Sequence, residues 1–95
     1  MSVDIAKLEG QVHALNPEAL MADGLEDSII GIVVNNEGIP VVAYSIPKIL
    51  AHFMEHDEFT HEEAYEYFEF NIAGAYMGDG TPVYLDVMEI VPLEN

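Results

Sequence analysis

The stretch Ser28-Ile29-Ile30-Gly31-Ile32-Val33-Val34-Asn35-Asn36-Glu37-Gly38-Ile39-Pro40-Val41-Val42-Ala43-Tyr44 decides the fold. Residues 28–34 are a β-branched run of strand length, and residues 39–44 are a second one. Between them Asn35-Asn36-Glu37-Gly38 supplies turn chemistry. Two β-rich runs joined by a short Asn/Gly segment predict a hairpin. Pro40 has no amide hydrogen to give to a ladder, so it belongs at a strand start or on an edge.

Working outward, Ile5, Leu8, Val12 and Leu15 recur at helical spacing and predict an amphipathic helix over residues 3–15. Asn16-Pro17 interrupts it, because the residue before proline is pushed out of the helical region. Pro17 is well placed to open a further helical turn over Glu18 to Met21, which Asp23-Gly24 closes. On the other side of the hairpin, Pro47 fits the first turn of a helix burying Ile46, Ile49, Leu50 and Phe53. Asp57 to Phe59 is a short link. Thr60-His61-Glu62-Glu63 matches a capping box, starting a helix that runs to about Ile72 and buries Ala64, Tyr65, Phe68 and Ile72. Gly74 is its expected terminator. Gly78-Asp79-Gly80 reads as a turn, and Pro82 to Val91 as a third strand with alternation at Val83, Leu85 and Val87.

The order α-β-β-α-α-β predicts one α+β domain over residues 1–95, a three-stranded antiparallel sheet with two to three helices on one face. Residues 1–21 read as an addition to a core of residues 22–95. The apolar stripe of that first helix is expected to pack on the sheet or on a second copy, as a homodimer.

Composition bounds the function. The 95 residues are 51% hydrophobic, enough for a core and against general disorder. The absence of cysteine excludes disulfides, zinc-thiolate sites and thiol catalysis. No apolar run reaches the roughly 18 residues of a membrane span, and no signal sequence is evident, so a cytoplasmic protein is expected. Charge is the anomaly: 18 acids face two lysines and no arginine, for a formal net charge of −16. Without a Lys/Arg cluster the chain has nothing to displace the counterions of nucleic acid, which argues against direct nucleic-acid or anionic-membrane partners. Three readings of the acidity stay open: a merely solvating surface, adaptation to high salt, and a surface for a basic partner.

The acids are unevenly placed. From Ile49 to Asn95 there are eleven, with no Lys or Arg. Glu55, Asp57, Glu58, Glu62, Glu63, Glu66 and Glu69 lie within a single 15-residue stretch. Glu58/Glu62 and Glu62/Glu66 are like-charged at a four-residue spacing, each pair costing about 0.2–0.5 kcal/mol on a helix where a lysine would have stabilised it. These seven acids, with Tyr67 and Phe70 beside them, are the candidate partner-binding residues; the alternative for the two aromatic residues, and the slightly favoured one, is the edge of the core.

The order of Ala22-Asp23-Gly24-Leu25-Glu26-Asp27-Ser28-Ile29-Ile30-Gly31, Lys48-Ile49-Leu50, Glu66-Tyr67-Phe68-Glu69-Phe70-Asn71, Gly74-Ala75-Tyr76, Gly78 and Thr81-Pro82 resembles a group of small uncharacterised proteins from bacteriophages and bacteria. The resemblance spans roughly residues 20 to 85. It implies a phage or prophage context, hence a host-cell cytoplasm, and an α+β fold. It implies no catalytic activity and no cofactor.

His52-Phe53-Met54-Glu55-His56 is a literal H-x-x-E-H, the pattern of inverted zinc peptidases. On a helix, His52 and His56 share a face and are the candidate metal ligands; the alternative is a chance motif on a solvated face. His61 opens a helix, where an imidazolium is disfavoured. Gly78-Asp79-Gly80-Thr81 lacks the lysine and helix of a phosphate loop. Ser2, Ser28 and Ser45 sit in no nucleophile elbow. The reading that results is a non-enzymatic phage protein that binds a basic host protein, such as a nuclease, restriction enzyme or CRISPR effector, as a DNA mimic. The alternatives are a small structural protein with solvating or salt-adapted charge, and a His52/His56 metal-dependent enzyme.

Overall fold

A computed structural model of the chain describes residues 4–75 and 77–87. The predicted hairpin forms from β1 (Ile29–Val34) and β2 (Pro40–Ser45), paired antiparallel with Val34 opposite Pro40 and Ile29 opposite Tyr44. Asn35 organises the turn: its Oδ1 accepts from the amides of Glu37 (2.9 Å) and Ile39 (3.0 Å), and Gly38 adopts φ 78°, which a side chain would resist. The ladder slips by one residue between Ile29 and Gly31, a bulge beside the glycine. Pro40 is the first residue of its strand, as its chemistry requires.

β2 is the central strand, and Val41 to Ser45 are all buried. Its other neighbour is β3 (Val83–Leu85), which runs parallel to it with Ala43 opposite Val83 and Ser45 opposite Leu85. The sheet is therefore mixed, which corrects the expectation of an all-antiparallel one. The connection from β2 to β3 is not a tight turn but two helices, and a helical crossover returns the chain to run in the same direction. The strand is also shorter than the expected Pro82–Val91; residues 88–91 lie outside the described residues.

Three helices pack on the sheet. α1 (Ile5–Leu15) starts where the Asp4 carboxylate caps the Lys7 amide at 3.1 Å and ends at extended Asn16, before Pro17. It buries Leu8 and Val12 in the core, but Leu15 is 64% exposed and leaves the expected stripe. α2 (Ile46–His56) is capped by Ser45 Oγ on the Lys48 amide, with Pro47 in its first turn, and buries Ile49, Leu50 and Phe53. α3 (His61–Phe68) begins with the predicted capping box: Thr60 Oγ1 accepts from the Glu63 amide at 3.2 Å, and Glu63 Oε1 from the Thr60 amide at 2.9 Å. Its expected continuation to Ile72 is a π-helical turn, Glu69–Ala73, ended at Gly74. Leu8, Val12, Ile29, Val42, Tyr44, Ile49, Phe53, Ala64 and Phe68 belong to one hydrophobic cluster, so α1 shares the core of the other elements.

The segment after α1 does not form the expected helical turn over Glu18 to Met21. Its amides are spoken for elsewhere: the Leu20 N–H donates to the Gly80 carbonyl at 2.9 Å. Buried Asn16 donates from Nδ2 to the carbonyls of Pro40 (3.0 Å) and Asp79 (3.5 Å) and accepts from the Glu18 amide (3.1 Å). One amide thus ties the end of α1 to the hairpin and to the 78–80 turn. Gly80 crosses the Glu18–Ala19 backbone so closely that a Cβ there would lie 1.7 Å from the Glu18 carbonyl oxygen.

Candidate functional site

The acids of the candidate site divide between two helices and the link joining them. Glu55 lies in the last turn of α2, and Asp57 caps its end. Glu58 follows with φ 56°, a left-handed conformation uncommon for a residue other than glycine, which turns the chain sharply into α3. Glu62, Glu63 and Glu66 stand on α3, and Glu69 opens the π-helical turn. All seven are exposed. Glu63 is partly engaged, because its carboxylate completes the capping box.

The aromatic residues are distributed differently from the expectation. Tyr65, expected in the core, is 47% exposed. The buried line of α3 runs through Ala64 and Phe68, with Tyr67 leaning on the same side, and Tyr65 is turned away from it. The Tyr67 ring packs edge-on to Phe53 (centroids 4.9 Å apart) and against Phe59 (5.7 Å), which fixes it as the rim of the core. Phe70, in contrast, is 85% exposed and stands free beside the acids. Of the two aromatic candidates, then, Phe70 is the freely exposed ring and Tyr67 is partly covered by Phe53 and Phe59.

Tyr65 is bracketed by carboxylates. Glu62 precedes it by three residues and Glu69 follows it by four, the two spacings that bring helical side chains together. Hydrogen bonding to Glu69 and the negative charge of Glu69 and Asp86 raise the Tyr65 hydroxyl above the ordinary tyrosine value. Tyr65 also lines a groove of about 370 Å³ with Ile46, Pro47, Leu50, Ala51, Met54, His61 and Asp86. This groove was not anticipated. Its signal was present as a second apolar stripe, since Pro47, Leu50, Ala51 and Met54 recur at i, i+3, i+4 and i+7 beside the core stripe of Ile49 and Phe53.

His52 and His56 do share a face of α2, with ring centroids 4.5 Å apart. His52 is half-buried, edge-on to Phe53, and lines a shallow depression with Asp27, Lys48, Glu55 and His56. Among the described residues, no three His, Asp or Glu groups converge to hold a metal ion. The 78–81 turn is closed on itself: Thr81 Oγ1 donates to the Gly78 carbonyl at 2.7 Å and accepts from the Met77 amide at 2.8 Å. Ser28 is fully buried and Ser45 caps α2, so neither presents a nucleophile. Buried Tyr44 accepts from the Ala22 amide at 2.7 Å, and burial raises its pKa.

No helix among the described residues is long and apolar enough to cross a membrane. No protein-family model, curated protein or solved structure matches the chain.

Proposed function

We propose that the protein is a non-enzymatic binder that presents the α3 face to a basic protein surface built to grip nucleic acid. The observation carrying this reading is the row Glu62, Glu66 and Glu69, exposed on one helix and its π-turn with no Lys or Arg between Ile49 and Asn95. From Glu62 to Glu69 the helix rises about 10 Å. One strand of B-DNA places about three phosphates over the same rise, so the charge density of the row is that of a nucleic-acid backbone. Exposed Phe70 beside it supplies the aromatic contact that protein interfaces favour. Within this reading the partner is a phage host's nuclease, restriction enzyme or CRISPR effector, and the mechanism is competitive occupation of its phosphate-binding groove. Opposite charge speeds the encounter and makes it sensitive to salt.

Replacing Glu62, Glu66 and Glu69 together by Gln tests it. Size and helix propensity are retained and mutual repulsion is removed, so the melting temperature should hold or rise slightly. Inhibition of DNA cleavage, assayed against a panel of restriction and RNA-guided nucleases, should fall and lose much of its salt dependence. Equal inhibition by the triple variant and wild type, or no inhibition of any member by wild type, would refute the proposal.

A further inference from the structure

The groove between α2 and α3 is walled by apolar side chains and edged by acids. Pro47, Ala51 and Met54 stand exposed along α2, Leu50 forms the buried floor, and Tyr65 closes the α3 side. Met54 adds a flexible, polarisable side chain that adapts to varied apolar anchors. Asp86 and His61 line the groove itself, and Glu69 lies against the Tyr65 hydroxyl, with Glu62 one helical turn before Tyr65 on α3. Lys48 lines the neighbouring depression with Asp27 and Glu55 rather than this groove.

Charge selects the occupant. A second copy would bring a net charge of −16 against −16. Residues 88–95 of the chain carry Glu89 and Glu94 with no Lys or Arg, so they supply no cation to match this rim. A segment with apolar side chains at helical spacing and Lys or Arg on its flanks satisfies floor and rim together. We propose that the groove binds a basic amphipathic helix of a partner protein, seating its apolar stripe on Leu50, Ala51 and Met54 while its cations meet Glu62, Glu69 and Asp86. This is the helix-in-groove mode of recognition. The inference rests on the acidic-face reading above and adds to it an apolar anchor and a chemical class of ligand.

Two synthetic peptides of identical Lys/Leu composition and about four helical turns serve as probes. One has leucines at i, i+3, i+4 and i+7; the other is shuffled so that no stripe remains. With the full chain at about 0.15 M salt, the striped peptide should bind at least roughly tenfold tighter and shift the methyl resonances of Ala51 and Met54. Ala51→Glu and Met54→Glu, each confirmed folded by its melt, add negative charge while obstructing the groove. Steric obstruction predicts weaker binding of the striped peptide, whereas attraction by charge alone predicts stronger binding. Equal affinity for the two peptides, or unweakened binding by both Glu variants, overturns the groove and leaves the acidic face standing. A nuclear Overhauser contact between Met54 and Ile90 in the free chain also overturns it, since the chain would then fill its own groove. If neither peptide binds even at about 0.01 M salt, the acidic-face reading falls together with the groove.

Discussion

Gly80→Ala should be among the more damaging single-methyl additions available in this chain. The new Cβ would meet the Glu18 carbonyl oxygen at 1.7 Å, the Glu18 carbonyl carbon at 2.6 Å and the Ala19 Cα at 3.1 Å. All three are backbone atoms, so no side chain can swing aside, and the two segments must separate. Separation breaks the 2.9 Å hydrogen bond from the Leu20 amide to the Gly80 carbonyl and strains the Asn16 bridge to Asp79. The lost bond costs about 1 kcal/mol. Overpacking adds about 1–3 kcal/mol. Against this, alanine stiffens the unfolded chain and returns about 0.4–1 kcal/mol. The net expectation is a loss of about 2–3 kcal/mol, read as a lower urea midpoint at unchanged slope and a melting temperature lower by roughly 10–20 °C. Gly10→Ala is the control: it sits in α1 with nothing within 4 Å of its Cβ position and should gain up to about 1 kcal/mol. If Gly80→Ala melts within about 2 °C of wild type, the close crossing of residues 18–19 over residue 80 is not a feature of the folded protein.

Other substitutions probe the core, the polar bridge and the titration. Phe68→Ala, removing a ring 2% exposed, should cost about 3–5 kcal/mol, whereas Tyr65→Ala should cost under about 1 kcal/mol; equal losses in chemical denaturation would show that the phase of α3 is wrong. Asn16→Ala removes three hydrogen bonds and should lose about 2–3 kcal/mol. Asn16→Asp should be worse still at neutral pH, because it turns a carboxylate towards two carbonyl oxygens, and should partly recover in acid; a variant as stable as wild type contradicts the bridge. Burial raises the pKa values of Tyr44 and Tyr84 above the ordinary tyrosine value. The folded state therefore holds protons that the unfolded state releases, so their contribution is intact below about pH 10 and is lost as pH climbs towards the raised values. Alkaline melts of Tyr44→Phe should decline less steeply than wild type, from a starting stability about 1–2 kcal/mol lower because the Ala22 amide loses its acceptor.

Much of this architecture was legible in the chain because it is written in local chemistry. The hairpin follows from two β-branched runs around an Asn/Gly turn, and Pro40 falls at the start of β2 because proline can stand almost nowhere else in a sheet. The beginning of α3 follows from Thr60 and Glu63, whose mutual capping needs only the residues between them. The abundance of exposed acids was equally legible, since carboxylates without cations are not buried.

Tertiary structure decided what depends on where elements meet. The direction of β3 is set by the crossover through α2 and α3, which periodicity in a three-residue strand cannot encode. Residues 18–21 surrendered a plausible helical turn because Gly80 offered the Leu20 amide a partner sixty residues away in sequence. Tyr65 stands exposed rather than buried because the core meets α3 along Ala64 and Phe68, and helical spacing alone does not fix where the edge of that buried line falls. The groove beside Met54 likewise exists only once α2 and α3 are packed. Its apolar stripe was in the sequence from the start, but an amphipathic pattern names a face without naming its neighbour.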